Sequence, residues 1–245
     1  MTSAPVTALD RSRVLTALGA VRDPELDEPI TELGFVESCT ASGAGEVVVR
    51  LRLPTYFCAP NFAFLMVADA YDAVSAVEGV RSTEIELLDH FASAAINEGV
   101  AAQAGFAKSF DGEAAGELDR LRADFLRKAV LAGTDQVCRP LLAAGRTPDE
   151  LTAMTLGDVP PSPELDRLRA RRADLGLPSG RDAPLVLDPV TGAGVGVAGL
   201  PLHLRKARLT RVGIEANTGI CRGMLAHRYA PGEERNGIGK DGVKR

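Results

Sequence analysis

A cysteine in a loop between a predicted strand and a predicted helix is the first residue suited to chemistry. The segment 51–62 reads LRLPTYFCAPNF, so Thr55 and Cys58 lie where the chain turns, and Pro60 fits the first turn of the coming helix. A thiol just ahead of a helix start faces unpaired backbone N–H groups and the positive end of the helix dipole, which favour the thiolate. We therefore identify Cys58 as the candidate metal- or sulfur-handling residue, the alternative being a small buried apolar side chain.

Two acidic side chains in a proline-stiffened loop form a second candidate group. Asp23 and Glu25 flank Pro24, just after a predicted helix. Carboxylates are hard oxygen ligands, which suit iron ions better than cluster sulfides. Their alternative role is to cap the loop and form its turn. The next acidic pair, Asp27 and Glu28, is predicted to belong to a solvated turn.

The other three cysteines form no ligand motif. Cys39, Cys138 and Cys221 make no CxxC pair and no zinc-finger spacing, either with one another or with Cys58. Cys138 is predicted to be structural. Cys221 lies six residues before His227, a spacing that does not place both side chains on one helix face. The pair is therefore not predicted to act as joint ligands.

Composition and charge exclude several classes of protein. The 245 residues carry a net charge of -5 and only 4% aromatic side chains, so neither a basic nucleic-acid surface nor a base-stacking platform is expected. The opening MTSAPVTA lacks the features of a signal peptide, and no apolar segment approaches the ~20 residues that span a bilayer. Cysteines too sparse for a disulfide framework fit a reducing compartment. We expect a cytoplasmic protein that binds neither nucleic acid nor membrane.

The N-terminal third of the chain is predicted to form a small domain that positions Cys58. Apolar periodicity predicts a helix over 10–20, strands over 33–40 and 46–53, a helix over 61–77 and a strand over 83–87. The short turn between the first two strands favours an antiparallel hairpin, and the helical crossover makes the next pair parallel. The expected order is α-β-β-α-β with a three-stranded mixed sheet. Cys58 would lie at the rim where the parallel strands end.

The rest of the chain has a different character. We expect an α+β protein in three parts: the small domain over 1–92, a mostly helical region over 93–230 and a disordered tail over 231–245. Helix starts are predicted at Thr147 and Ser162, since each is a capping residue followed by proline. The tail is rich in glycine and charge, a composition typical of disorder.

Several short motifs follow one another along the N-terminal region. They are VRDPE at 21–25, ITELGFV at 30–36, TYFC at 55–58 with Pro60, and EGV at 78–80. Their order and spacing resemble those of the metal–sulfur (iron–sulfur) cluster assembly factor family, over residues about 8–90. That family includes the small domain of SufT-type proteins and the PaaD-type factors of phenylacetate degradation.

Two positions depart from the pattern of that family. Ala59 stands where proline usually follows the cysteine directly, and His90-Phe91 occupies the region where a tryptophan is often found. The segment after the small domain also has no counterpart in the short members of the family. These departures suggest that the enzyme served by this protein, its client, is a specialised one.

The resemblance implies an accessory role in assembling iron–sulfur clusters or iron centres. It implies that Cys58 is the central functional residue and binds metal transiently. Asp23 and Glu25 would be its polar neighbours, and Thr55 would be a further supporting residue. The cargo would be iron or an iron–sulfur cluster. The expected partners are a client metalloenzyme, for example a multicomponent oxygenase, and other iron–sulfur assembly proteins.

The number of thiols limits how one chain can hold a cluster. Clusters are usually bound by four cysteine thiolates or by a mixture with histidine, and the small domain has only Cys39 and Cys58. If Cys39 points to the other face of the sheet, one thiolate remains per chain. Three arrangements stay open: two chains share a cluster as a homodimer, a partner supplies ligands, or the chain binds iron or persulfide only briefly.

Two other functions compete with the assembly factor, which we expect not to be an enzyme. In a thiol-dependent enzyme, Cys58 would be the nucleophile and Asp23 or Glu25 the acid/base, although no histidine lies near them in sequence. In a non-catalytic structural adaptor, Cys58 would belong to the core.

Overall fold

The computed structural model describes residues 9–110 and 116–230. Its N-terminal elements are α1 (Arg11–Leu18), β1 (Val36–Ala41), β2 (Glu46–Arg52), α2 (Pro60–Ser75) and β3 (Ser82–Leu88). Helices follow: α3 (Ser93–Ala101), α4 (Phe106–Ser109), α5 (Glu117–Ala143), α6 (Pro148–Ala153), α7 (Pro163–Asp174) and α8 (Leu200–Arg228). The predicted α+β class and α-β-β-α-β order are confirmed. The predicted tail, 231–245, lies outside the described residues.

The three strands form one mixed sheet in the order β1-β2-β3. β1 and β2 are antiparallel, with Cys39 opposite Val49, and β2 and β3 are parallel, with Val49 opposite Ile85. Alternate residues of β2, namely Val47, Val49 and Leu51, are buried on one face. The predicted hairpin and crossover are therefore confirmed. Because β2 and β3 run the same way, their carboxyl ends meet at one rim.

Side-chain caps account for three of the helix starts. The carboxylate of Asp10 accepts a hydrogen bond from a backbone N–H of α1. Thr147 and Glu150 form a reciprocal capping box at α6, and Ser162 caps α7. The predicted starts at Thr147 and Ser162 are confirmed. Among the described helices, none is long and apolar enough to cross a membrane.

Buried apolar side chains form two clusters. The first joins α1, α2 and the sheet, and it also includes Ile96 of α3, Phe106 of α4 and Leu225 of α8. The second cluster is built from α5, α6, α7 and the segment 183–187. The predicted division of the chain at residue 92 stays a prediction. Helix α8 contributes a buried leucine to each cluster, at Leu200 and Leu225, so it runs from one to the other.

The predicted solvated turn at Asp27 and Glu28 is wrong. Asp27 forms an ion pair with Arg171 of α7, whose side chain is only 10% exposed. Glu28 forms one with Arg222 of α8. These carboxylates hold the C-terminal helices on the N-terminal domain, and local sequence gave no sign of partners that lie so far along the chain.

The end of α8 lies against the rim where β2 and β3 end. Arg228 donates one hydrogen bond to the carbonyl of Leu53, over 3.0 Å, and another to the carbonyl of Asp89. The guanidinium of Arg52 stacks on the ring of Tyr229, 4.6 Å from its centre. Leu53 and Asp89 directly follow the two parallel strands, so the Arg228 side chain links the ends of both strands to α8 by hydrogen bonds.

Arg228→Met is expected to loosen the end of α8. A hydrogen bond to a charged group contributes about 1.5–3 kcal/mol, so the free energy of unfolding should fall by about 1–3 kcal/mol. Amide hydrogen exchange over residues 217–230, read by mass spectrometry, should become faster. Arg205→Met, at an exposed position on the same helix, is the control and should change stability by less than about 0.5 kcal/mol. Equal exchange in the two variants would contradict the role of Arg228.

Candidate functional site

Cys58 lies at the predicted place, after β2 and immediately before the N-cap of α2. The N-cap is Ala59, which offers no side-chain acceptor to the first N–H groups of the helix, and Pro60 is the first helical residue. The thiol is half-buried and packs against the edge of the first core cluster. Its sulfur is therefore neither sealed among aliphatic groups nor fully exposed.

Thr55 is in contact with the thiol. Its Oγ1 lies 3.3 Å from Cys58 Sγ, a hydrogen-bonding distance for sulfur. A hydroxyl can accept from a thiol or donate to a thiolate, so the same pair suits either protonation state. The structure thus brings together the two residues that the sequence placed in one turn.

His90 links the cysteine loop to the segment before α3, since one ring nitrogen bonds to each of them. Nδ1 accepts a hydrogen bond from the N–H of Ala92 over 3.2 Å, so Nε2 carries the proton and donates to the carbonyl of Cys58 over 2.7 Å. Burial lowers the pKa of His90, which favours this neutral form. Sequence reasoning did not assign this residue. Its position two residues after the end of β3, at the rim shared with β2, was the available signal.

His90→Ala is expected to release the cysteine loop. The Cys58 carbonyl would lose its partner, at a cost of about 1–3 kcal/mol in the free energy of unfolding. Alkylation of Cys58 by iodoacetamide, followed by peptide mass spectrometry, should become faster. His227→Ala, at an exposed position on α8, should leave both stability and the alkylation rate near wild type. An unchanged rate in His90→Ala would show that the ring does not restrain the loop.

Asp23 is a buried carboxylate held by backbone. Its Oδ1 accepts hydrogen bonds from the N–H groups of Glu25, over 2.9 Å, and Leu26, over 2.8 Å. Burial raises the pKa of Asp23 to about 6, although these two hydrogen bonds act in the opposite direction. The turn-forming role left open by the sequence is present, and a role of Asp23 toward iron stays a prediction.

Asp23→Asn is expected to flatten part of the pH dependence of stability. The folded pKa of about 6 lies above the ordinary 3.8, so the ionised carboxylate costs stability above pH 6 and the cost shrinks as the pH falls toward 3.8. At 1.36 kcal/mol per pKa unit, the variant should be more stable than wild type by up to about 3 kcal/mol near neutral pH, and this advantage should shrink by about 1–2 kcal/mol near pH 5.

Urea unfolding of wild type and variant at both pH values measures this difference. Asparagine keeps an oxygen acceptor for the two N–H groups, so the turn is preserved. The control is Asp182→Asn, at an exposed position, which should follow the wild-type profile. Parallel profiles for Asp23→Asn and wild type would contradict the raised pKa.

Helix α8 brings a second cysteine to the candidate site. Asn217 donates a hydrogen bond to Glu25 over 3.1 Å, and Cys221 lies one helical turn further on. Burial raises the pKa of Cys221 to about 11, with smaller contributions from electrostatic interactions with Asp23, Cys58 and Glu25. Sequence reasoning considered Cys221 only with His227 and missed this neighbourhood.

Two exposed aromatic rings of the cysteine loop contact a third from the segment between β3 and α3. Tyr56, Phe57 and Phe91 are 47%, 77% and 49% exposed. The ring of Phe57 lies 5.0 Å from that of Tyr56 and 5.9 Å from that of Phe91, measured between centroids. Exposed aromatic groups in contact form an apolar patch next to Cys58, and such patches mark interaction sites.

A complete metal-ion site is not preformed in the part of the chain that the structure describes. No three His, Cys, Asp or Glu side chains there are grouped so that they could hold an ion. A cleft of about 370 Å³ reaches Asp23 and is lined by Leu65, Arg122 and Phe125, but none of the four cysteines lines it. This cleft therefore offers no thiolate ligand, and an ion bound at Cys58 would need ligands that the described residues do not group around it.

The fold and the site together define a class of protein: a small α-β-β-α-β domain that presents a half-buried thiol at the carboxyl rim of its parallel strands. Residues 11–87 match the family of iron-sulfur cluster assembly proteins. The chain is also 31% identical, over 85 residues, to "Uncharacterized protein MJ1129" of Methanocaldococcus jannaschii. The aligned stretch makes up 35% of this chain and 87% of that protein. No solved structure gives a significant match.

The chain belongs to the iron–sulfur cluster assembly protein family, so the resemblance predicted from its motifs is confirmed. This membership suggests a role in iron–sulfur cluster assembly. The match covers the sheet, α1, α2 and the Cys58 loop, and it ends before α3.

Proposed function

We propose that this protein is a cytoplasmic accessory factor that binds iron or an iron–sulfur cluster transiently through Cys58 and delivers it to a client metalloenzyme. The half-buried thiol at the rim carries the proposal, with the Thr55 hydroxyl 3.3 Å from its sulfur and a helix start beside it that lacks a side-chain cap. A thiolate is the soft ligand that iron–sulfur clusters require.

Transient binding follows from the small number of ligands. Since the described residues do not group three metal-binding side chains, an ion or cluster on Cys58 keeps open coordination positions. A client protein that offers a fuller set of ligands then holds the cargo more tightly than the factor does. The cargo moves from the incomplete site to the complete one, as delivery requires.

The aromatic patch formed by Tyr56, Phe57 and Phe91 supports docking of a client beside the thiol. Phe57 is 77% exposed, and the three rings adjoin the residue that is proposed to carry the cargo. A client that covers this patch would bring its own ligands to Cys58. We propose that such clients are metalloenzymes, among them multicomponent oxygenases, and that other assembly proteins load the site.

A non-catalytic role is supported by the surroundings of Cys58. His90, the histidine hydrogen-bonded to its loop, uses both ring nitrogens on backbone groups, so neither is placed to take the proton of the thiol. Asp23 is likewise held by backbone N–H groups. We therefore favour an assembly factor over a thiol-dependent enzyme.

Cys58→Ser is expected to abolish delivery without changing the fold. After anaerobic reconstitution with iron and sulfide, iron per chain and cluster transfer to an apo-ferredoxin acceptor should fall at least tenfold, because even outer partners of metal ligands typically change metal affinity by about 10–100-fold. Circular dichroism should show the wild-type spectrum. The matched control is Cys138→Ala, which removes a buried thiol in the second core cluster. Full transfer by Cys58→Ser would refute the proposal.

A further inference from the structure

Helix α8 is apolar on two opposite faces. Its buried side, which packs on the rest of the chain, consists of Leu200, His203, Ala207, Thr218 and Leu225. On the other side, the large apolar side chains are between 43% and 72% exposed, and they are Leu202, Leu209, Ile220 and Met224. At 3.6 residues per turn, these four lie along one line of the helix. A surface helix normally carries polar residues on the face that points away from the core, so this second apolar face has no use within the chain.

Small residues continue that line between the large ones. Gly213 and Ala216 are exposed and fill the interval between Leu209 and Ile220. We call the whole line the outer row, and its members are Leu202, Leu209, Gly213, Ala216, Ile220 and Met224. From its first residue to its last, the outer row is about 33 Å long at 1.5 Å per residue.

The glycine in the outer row is not required by any contact within the protein. A Cβ atom at Gly213 would meet nothing within 4 Å. Glycine inside a helix is less stable than alanine, so the residue weakens α8 without a packing reason in this chain. A position without a side chain allows the backbone of another molecule to come close.

Two cations without ion-pair partners border the outer row. Arg205 and Lys206 are exposed and lie on either side of it, between Leu202 and Leu209. Among the described residues, the ion pairs of α8 are those of Arg211 and Arg222, so neither of these two cations has one. An apolar line between unpaired cations is complementary to an apolar line between carboxylates.

A helix fits this surface better than a bilayer or a second copy of α8. The outer row is one side chain wide, with spacings that accept the side chains of another helix, whereas a bilayer-bound helix presents a broad face that includes aromatic residues. Helix α8 contains no Phe, Tyr or Trp. In a parallel pair of α8 helices the cations would face each other, and in an antiparallel pair they would approach the end that carries Arg222 and His227.

We propose that the outer row of α8 is the docking surface for an amphipathic helix of a partner protein, whose apolar line is bordered by Asp or Glu side chains. Leu209 and Ile220 anchor the partner helix, and Arg205 and Lys206 pair with its carboxylates. This inference does not depend on Cys58, because it concerns which protein is bound and not what is carried.

A synthetic helical peptide is the probe for this surface. It carries a line of leucines with glutamates on both flanks and a fluorescein label, and binding to the full chain is read by fluorescence anisotropy. We expect the glutamate peptide to bind at least about tenfold more tightly than a matched peptide with lysine flanks, and its affinity to fall as NaCl is raised, since salt screens exposed charges. No binding of the glutamate peptide, or equal affinity for the two peptides, would overturn the proposal.

Variants of the outer row and of its border separate the two contributions. Leu209→Gln should weaken binding about tenfold or more, as loss of a central apolar anchor does, and leave the salt dependence unchanged. Arg205→Gln combined with Lys206→Gln should weaken binding and also flatten the salt dependence. The matched control is Val190→Gln, which replaces an exposed apolar side chain outside α8 and should bind as the wild type does. Wild-type affinity in the first two variants would contradict the assigned surface.

Gly213→Gln tests the surface in a protein that is more stable than the wild type. Glutamine is a better helix former than glycine, and its Cβ has open space, so the urea midpoint should rise. The new side chain fills the outer row, so binding of the glutamate peptide should weaken at least about tenfold. Because the variant is the more stable protein, unfolding does not account for such a loss. Unchanged affinity would overturn the close approach of a partner helix.

The other occupants are distinguished with the same protein. Co-sedimentation with phosphatidylcholine–phosphatidylglycerol vesicles without binding of the peptide would assign the outer row to a membrane. A dimer of the wild type that Leu209→Gln abolishes, seen by sedimentation velocity, would assign it to a second copy. Either result would overturn the proposal. Cys58→Ser should bind the peptide as the wild type does, so failure of the docking surface and failure of the proposed carrier role are read separately.

Discussion

The contact on which the site depends is the one that Arg228 makes with the ends of two parallel strands. β2 and β3 run in the same direction, so the carbonyls of Leu53 and Asp89 emerge at one rim, and Arg228 donates to both. This places the last turns of α8 beside the cysteine loop. Together with the ion pair between Glu28 and Arg222, this contact makes a helix from the other end of the chain part of the site.

The acidic loop 23–28 shows how one short segment serves both stability and site chemistry. Asp27 and Glu28 pair with Arg171 and Arg222, which fastens the C-terminal helices to the small domain. Asp23 instead faces backbone donors, and burial raises its pKa to about 6. Attachment of the C-terminal helices and formation of the turn next to α1 thus come from neighbouring residues.

Membership of the family covers only the first part of the molecule. The match ends at residue 87, whereas Cys221 lies on a helix well beyond it. The thiol at position 58 therefore lies in the part of the chain that the family shares, whereas α5 to α8 lie outside that part.

Local patterns in the sequence determined the secondary structure and the nearest contacts of the thiol. Thr55 and Cys58 meet because they share a turn, and Pro60 begins α2 because its backbone suits a first helical turn. Contacts between distant segments depend on how the elements pack, and no short-range pattern encodes them. The contacts of His90 with the cysteine loop and of Asn217 with Glu25 were accordingly decided only by the tertiary structure. Periodicity records which face of an element is buried, but not which distant element covers it.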